Sequence, residues 1–216
     1  MIEKEALVDT VFLQKLSCEG KRIDNFTKVL SELKIKPIIH PYIAKNELDM
    51  YPYFNEMVSE GIVKIIEYND FLADDFNKEL YKSYFLEIHN KLRERLENGG
   101  GKKKLDKLVL PSNIDVFTYR KAGMSLGDVH MILMAFFIKV PIILTEDADI
   151  EILKKIIELK INSDKYNLKI YSAMDLLVEI AEKNGDIFGK KELNEIAKSI
   201  EGNAGKSKIN QVWGEL

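Results

Sequence analysis

Five acidic residues stand where an apolar run ends or a helical pattern begins. Asp9 follows "ALV", and Glu47 lies in "HPYIAKNEL", one or two helical turns past a second apolar run. Asp128 sits in "SLGD" at the opening of a strongly apolar segment, and "VPIIL" runs straight into "TEDADI", which holds Asp147 and Asp149. An ionised carboxylate in a buried strand is costly without a partner, and several carboxylates gathered at one point repel one another. A divalent cation offsets that repulsion, and hard oxygen donors suit Mg²⁺ or Mn²⁺. Ions held in this way polarise a phosphodiester and lower the pKa of a bound water. Taken singly, the same residues have plainer uses. Asp128 fits a helix cap worth about 1 kcal/mol. Glu47 fits a solvated surface acid, and Asp147 or Asp149 fits the N-cap of the helix that follows. Asp9 has no such simple use.

The elements that must position these acids are readable as alternating strands and helices. Five β-type runs stand out: "ALVDTVFL" (6–13), "KPIIH" (36–40), "GIVKIIEY" (61–68), "VPIILT" (140–145) and "NLKIYSA" (167–173). Several are apolar at consecutive positions, as in strands covered by helices on both faces. Between them, Phe76, Leu80, Tyr84, Phe85, Ile88, Leu92 and Leu96 form one helical stripe, and Ile150, Leu153 and Ile157 another. The segment "LGDVHMILMAFFI" (126–138) is apolar almost all round, which predicts a central buried helix. The pattern predicts an α/β protein with a doubly wound parallel sheet. In such a sheet ligands bind outside the carboxyl ends of the strands, the edge at which all four of Asp9, Glu47, Asp128 and Asp147 can point. They are expected around one cavity, close enough to share a cation.

The chain has 216 residues, 46% of them hydrophobic, enough for a real core. Its formal net charge of −3 leaves no global basic field, so nucleic-acid binding needs a local patch. A single cysteine, Cys18, forbids an internal disulfide and fits a reducing compartment. No apolar run approaches the roughly 20 residues of a membrane span, and the acidic "MIEKEALVD" start is unlike a signal peptide. A cytoplasmic protein without membrane association is expected. "NGGGKKKLDK" (98–107) reads as a flexible loop. One folded unit over 1–184 is expected, followed by a C-terminal helix and polar tail over 185–216.

These motifs resemble those of the PIN-domain nucleases. The likeness is carried by "LVDTVFL", "PYIAKNEL", "SLGDVHMILMAFF" and "PIILTEDADI", in that order, over roughly residues 5 to 183. It implies a five-stranded sheet ordered 3-2-1-4-5. It also implies a metal-dependent endoribonuclease, working in RNA processing or as the toxin of a toxin–antitoxin pair. Catalysis would fall to Asp9, Glu47, Asp128 and Asp147. Asp9, Asp128 and Asp147 would ligate metal directly, Glu47 would ligate it or position the attacking water, and Asp149 would act through a water or from behind the ligands. Thr10 and Thr145 match the hydroxyls that orient the cluster. Three departures stand out: Val11 replaces a frequent small polar residue, the interval from Glu47 to Asp128 is long, and the final helix and tail exceed a minimal domain.

A carboxylate cluster repels RNA, so basic groups must draw the strand in. Arg120 and Lys121 in "TYRKAGMS" are the first candidates, and Lys102, Lys103 and Lys104 are either a second or a solvated loop. Tyr119 fits either base stacking or core packing. His130 reads as a satisfied, partly buried histidine, while His40 and His89 have no partner at zinc spacing. Trp213 is expected to dock on its own domain or on a partner. RNA, an antitoxin-like protein and a second copy of the chain are the partners implied. A catalytically silent nucleic-acid- or protein-binding module is the other outcome. A haloacid-dehalogenase-type phosphatase would need an acid at Val11, and a response receiver an acid closing the third strand, where Asp70 comes late.

Overall fold

The computed structural model describes residues 4–98, 108–121, 125–160 and 166–214. The glycine-lysine loop, Lys102, Lys103 and Lys104 included, lies outside them. The sheet has five strands: β1 (Lys4–Val8), β2 (Ile35–Ile39), β3 (Lys64–Ile65), β4 (Ile142–Leu144) and β5 (Lys169–Tyr171). All pairings are parallel and the order is 3-2-1-4-5, as expected. One helical layer holds Thr10–Leu16, Ile23–Glu32, Ala173–Glu182 and Lys190–Val212; the other holds Asp75–Asn98, Leu126–Ile138 and Asp149–Glu158. Leu126–Ile138 is buried along nearly its whole length, which explains why its sequence shows no polar face. No helix among the described residues is long and apolar enough to cross a membrane.

The strands are shorter than the apolar runs that announced them, and each trimming has a local cause. The run 6–13 splits at Asp9, whose carboxylate accepts from Thr10 N at 2.7 Å and starts a helix. Val11 to Leu13 are therefore helical, with Phe12, Leu13 and Leu16 on the buried face. The run 61–68 keeps only two strand residues, because Glu67 and Asp70 form a reciprocal capping box that opens the Tyr68–Phe71 helix. Ser172 and Asp175 do the same after β5.

Two helical expectations also change. The buried face of Asp75–Asn98 is Tyr81, Phe85, Ile88, His89 and Leu92, and Phe76 is 75% exposed. The expected polar tail is helical: Lys190–Val212 breaks only at Glu201 and at Gly202, whose φ of 63° suits glycine. The chain then folds back on itself. Asn194 Nδ2 donates to Asn210 Oδ1 at 3.0 Å. A Cβ on Gly205 would stand 2.4 Å from the Ala197 carbonyl oxygen, so the two segments touch backbone to backbone. Trp213 docks on its own chain, half-buried, with Lys190 Nζ 5.9 Å from its ring and Gly214 N donating to Ala181 O.

Candidate active site: an acidic cleft at the strand ends

The carboxyl ends of β1 and β4 are locked side by side, with Asp9 N donating to Leu144 O at 2.9 Å and Thr145 N to Tyr171 O at 3.0 Å. Asp9 and Thr145 thus leave the sheet at one level. Thr145 Oγ1 donates to Asp9 Oδ2 at 3.1 Å and accepts from Asp147 N at 3.1 Å. Thr10 Oγ1 donates to Glu47 Oε2 at 2.6 Å. Both threonines therefore hold acids of the cluster by hydrogen bonds.

Glu47 arrives on a distorted turn. His40 caps the short helix Pro41–Ile43, which passes into a π-helical turn, Ala44–Leu48. Such turns re-aim one side chain of a helix and are frequent at functional sites. Across the gap, Asp128 lies in the first turn of Leu126–Ile138. Gly127 beside it admits Glu47: a Cβ there would come within 2.4 Å of Glu47 Oε1. Gly127→Ala should therefore push Glu47 off Thr10. The atom struck is the end of a flexible side chain, so the fold should survive with its melting temperature within a few degrees of the parent. Any affinity of the cleft for a divalent cation, read by calorimetry with Mn²⁺, should fall by about 10–100-fold, the scale of losing a group that orients a metal ligand. Unchanged affinity would show that Glu47 has no part in a cation site.

Asp9, Glu47, Asp128, Asp147 and Asp149 line one cleft of about 520 Å³, with Arg120 and Lys121 on its wall. Tyr119 is not in the lining; it packs half-buried against the core. Glu146 turns away, pairing with Lys15 at 2.7 Å and accepting from Ala173 N. Asp147 Oδ1 accepts from Asp149 N at 2.8 Å, so Asp147 also holds the start of the next helix. Tyr42 and Asn46 line the cleft too, unforeseen from the sequence. Their signal was the i, i+4 spacing that sets Asn46 one turn above Tyr42, beside Glu47.

The sharper expectation, that the acids stand close enough to share an ion, is corrected. Among the described residues, no three Asp, Glu, His or Cys side chains are gathered at ligating distance. Asp9, Glu47 and Asp147 are each held by a hydrogen bond of their own, from Thr145, Thr10 and Asp149 N, and like charges favour separation. The donor set itself, all carboxylate oxygen, fits Mg²⁺ or Mn²⁺ and not a soft ion.

Electrostatics single out the same group. Burial pushes the Asp128 carboxyl well above its ordinary value, with the charges of Asp9, Asp147, Glu47 and Asp149 adding to the effect. Burial also raises Glu47, against the Thr10 hydrogen bond, and Asp9, against those from Thr145, Thr10 N and Val11 N. Tyr42 is pushed up to about 12, first by burial and then by Glu47. Raised acids in a cleft make it a candidate functional site.

Behind the cleft runs a buried relay whose tautomers follow from its geometry. Tyr42 N donates to His40 Nδ1 at 3.0 Å, so His40 carries its proton on Nε2, which donates to Tyr81 Oη at 3.3 Å. The Tyr81 hydroxyl then donates to His130 Nδ1 at 2.8 Å, and His130 Nε2–H donates to Val116 O at 3.1 Å. All three side chains are fully buried. The relay ties the Glu47 turn, the Asp128 helix and the segment leading to Arg120 into one frame. His130, expected to be satisfied, is so, and wholly rather than partly buried. His40, read as isolated, is its partner in the relay. No protein-family model and no curated protein matches the chain.

Proposed function

We propose that this protein is a PIN-like, divalent-metal-dependent endoribonuclease. The observation that carries this is the meeting of Asp9, Glu47, Asp128, Asp147 and Asp149 around one cleft with Arg120 and Lys121 beside them. Asp9, Asp128 and Asp147 would have to draw together from their present positions to hold the ion, with Asp149 supporting them. Bound there, Mg²⁺ or Mn²⁺ would supply Lewis-acid polarisation of the phosphodiester and a more acidic water.

The chain's own groups do the rest. Thr145 fixes the Asp9 carboxylate and Thr10 fixes that of Glu47, which orients the attacking water from the π-turn. Arg120 and Lys121, exposed on the cleft wall, hold the phosphate backbone against the repulsion of the acids. Backbone contacts of this kind position a strand without reading its bases. An antitoxin-like protein or a second copy of the chain would be a regulator of the same cleft.

The test is cleavage of a labelled single-stranded RNA by the purified protein with Mn²⁺, with and without excess EDTA. Cleavage at internal bonds that EDTA abolishes is the expected result. RNA binding weakened by Arg120→Ala/Lys121→Ala, with no cleavage by the parent under any divalent ion, would instead mark a silent binding module.

A further inference from the structure

A second charged surface lies outside the acidic cleft, on the C-terminal helical hairpin. Lys190, Lys191, Lys198 and Lys206, with Asn194 and Asn210, line a groove of about 530 Å³ between its two segments. Positions 190, 194 and 198, and again 191 and 195, recur at i+4, which sets them along one flank of the helix beside the buried Leu193, Ile196 and Ala197. The groove is fixed in shape, because its walls meet at the Gly205–Ala197 contact and the Asn194–Asn210 hydrogen bond.

Its charge is only partly offset, by Glu195. Lys28 and Lys208, near it in the fold, are paired with Glu192 and Glu201. Among the described residues none of the four groove lysines makes an ion pair, although Glu195 also lines the groove. Lys190 lies over the Trp213 ring instead. The formal charge of the whole chain is −3, so four clustered free ammonium groups are a local departure from its balance. On the floor, Asn194 Oδ1 is buried with no partner, leaving the amide pair short of one donor.

We infer that this groove binds the phosphate backbone of an RNA strand outside the acidic cleft, an inference that rests on the ribonuclease reading for the identity of the polyanion. Lysine suits such a surface, because a flexible point charge contacts phosphates without demanding one geometry or one base. Lys190 and Lys198 are eight residues apart, about 12 Å of helix at 1.5 Å per residue, which spans roughly three nucleotides of a stacked strand at 3.4 Å each. Lys206 on the facing segment closes the other side. The groove tethers RNA that the cleft, with two basic residues on its wall among the described residues, holds weakly.

Trp213 is the only tryptophan and touches Lys190, so its fluorescence reports on this groove directly. The full chain is titrated with a short oligouridylate in EDTA at several salt concentrations. A saturable change in Trp213 emission is expected. In Lys191→Ala/Lys198→Ala/Lys206→Ala, binding should weaken at least about tenfold at low salt. The slope of log affinity against log salt should fall by about 2, at roughly 0.7 per lost single-strand phosphate contact. Lys208→Ala, outside the groove lining, should bind as the parent does. Unchanged affinity and slope in the triple variant overturn the inference. So does polyglutamate binding the parent as tightly as the oligouridylate, which would make the groove a site for acidic protein. Groove binding by a parent protein that cleaves no RNA with Mn²⁺ would remove the nuclease reading of the cleft and leave the RNA groove standing.

Discussion

Asp128→Asn is expected to melt at a higher temperature than the parent in divalent-free buffer near neutral pH, and to cleave RNA at least about a hundredfold more slowly. Asp128 faces the charges of Asp9, Glu47, Asp147 and Asp149, and burial with their repulsion raises its carboxyl well above the ordinary value. The sign follows from linkage. A carboxyl raised in the folded state binds more protons folded than unfolded, so it stabilises less and less as pH rises through its folded value. Asparagine removes that loss and nearly preserves the shape. Each kcal/mol relieved is worth about 2–4 °C in a chain of this size. The same substitution removes a proposed metal ligand, and even groups one step behind a metal ligand are worth about 10–100-fold. A variant that melts lower than the parent would mean that Asp128 serves the fold as a cap and not the site.

Tyr81→Phe is expected to cost about 2–4 kcal/mol, roughly 5–15 °C in melting temperature. The hydroxyl accepts from His40 and donates to His130. Removing it strands a buried donor and a buried acceptor, each worth about 1–3 kcal/mol when left unsatisfied. The relay also sets a pH dependence. Burial drives His40 well below its ordinary value, with His130 adding to the effect, and burial lowers His130 to about 3. The unfolded chain takes up these protons as pH falls below about 6.5, while the folded chain does not, so stability is full above that pH and is lost progressively below it. The raised carboxyls of the cleft pull the other way. The acid loss is therefore read most cleanly in Asp128→Asn, where the strongest opposing group is gone. A Tyr81→Phe melt within a degree of the parent would show that the relay is not made as its geometry indicates.

The sheet is legible in the sequence because its strands are buried on both faces: consecutive apolar residues in β1, β2 and β4 leave few alternatives. The acids are legible for the same reason, since Asp9 and Asp147 interrupt runs that have no use for charge. What misleads is the continuity of those runs. Val11, Phe12 and Leu13 are as apolar as Ala6 to Val8, and only the Asp9–Thr10 cap separates helix from strand. Tyr81 is missed because a stripe phased on Phe76, Leu80 and Tyr84 runs one position off the buried face, and the two histidines that satisfy its hydroxyl are distant in sequence. Glu146, beside Asp147, can be told from a site acid only by the Lys15 and Ala173 contacts that draw it away. The folded-back C-terminal segment is hidden by its sparse apolar content. Gly205 and Ile209 pack it, and neither makes a stripe.

Whether the cleft is a carboxylate site for a hard divalent cation is decided by calorimetric titration of the metal-free protein with Mn²⁺ in two buffers of different ionisation enthalpy. Because Asp9, Glu47 and above all Asp128 are raised, a cation that binds them favours their ionised forms, and proton release on binding grows as the titration pH is lowered. Saturable binding accompanied by proton release is expected in the parent, with affinity at least about tenfold weaker and fewer protons released in Asp128→Asn. Absence of binding, or equal affinity and proton release in the two proteins, would contradict a cation site at these carboxylates.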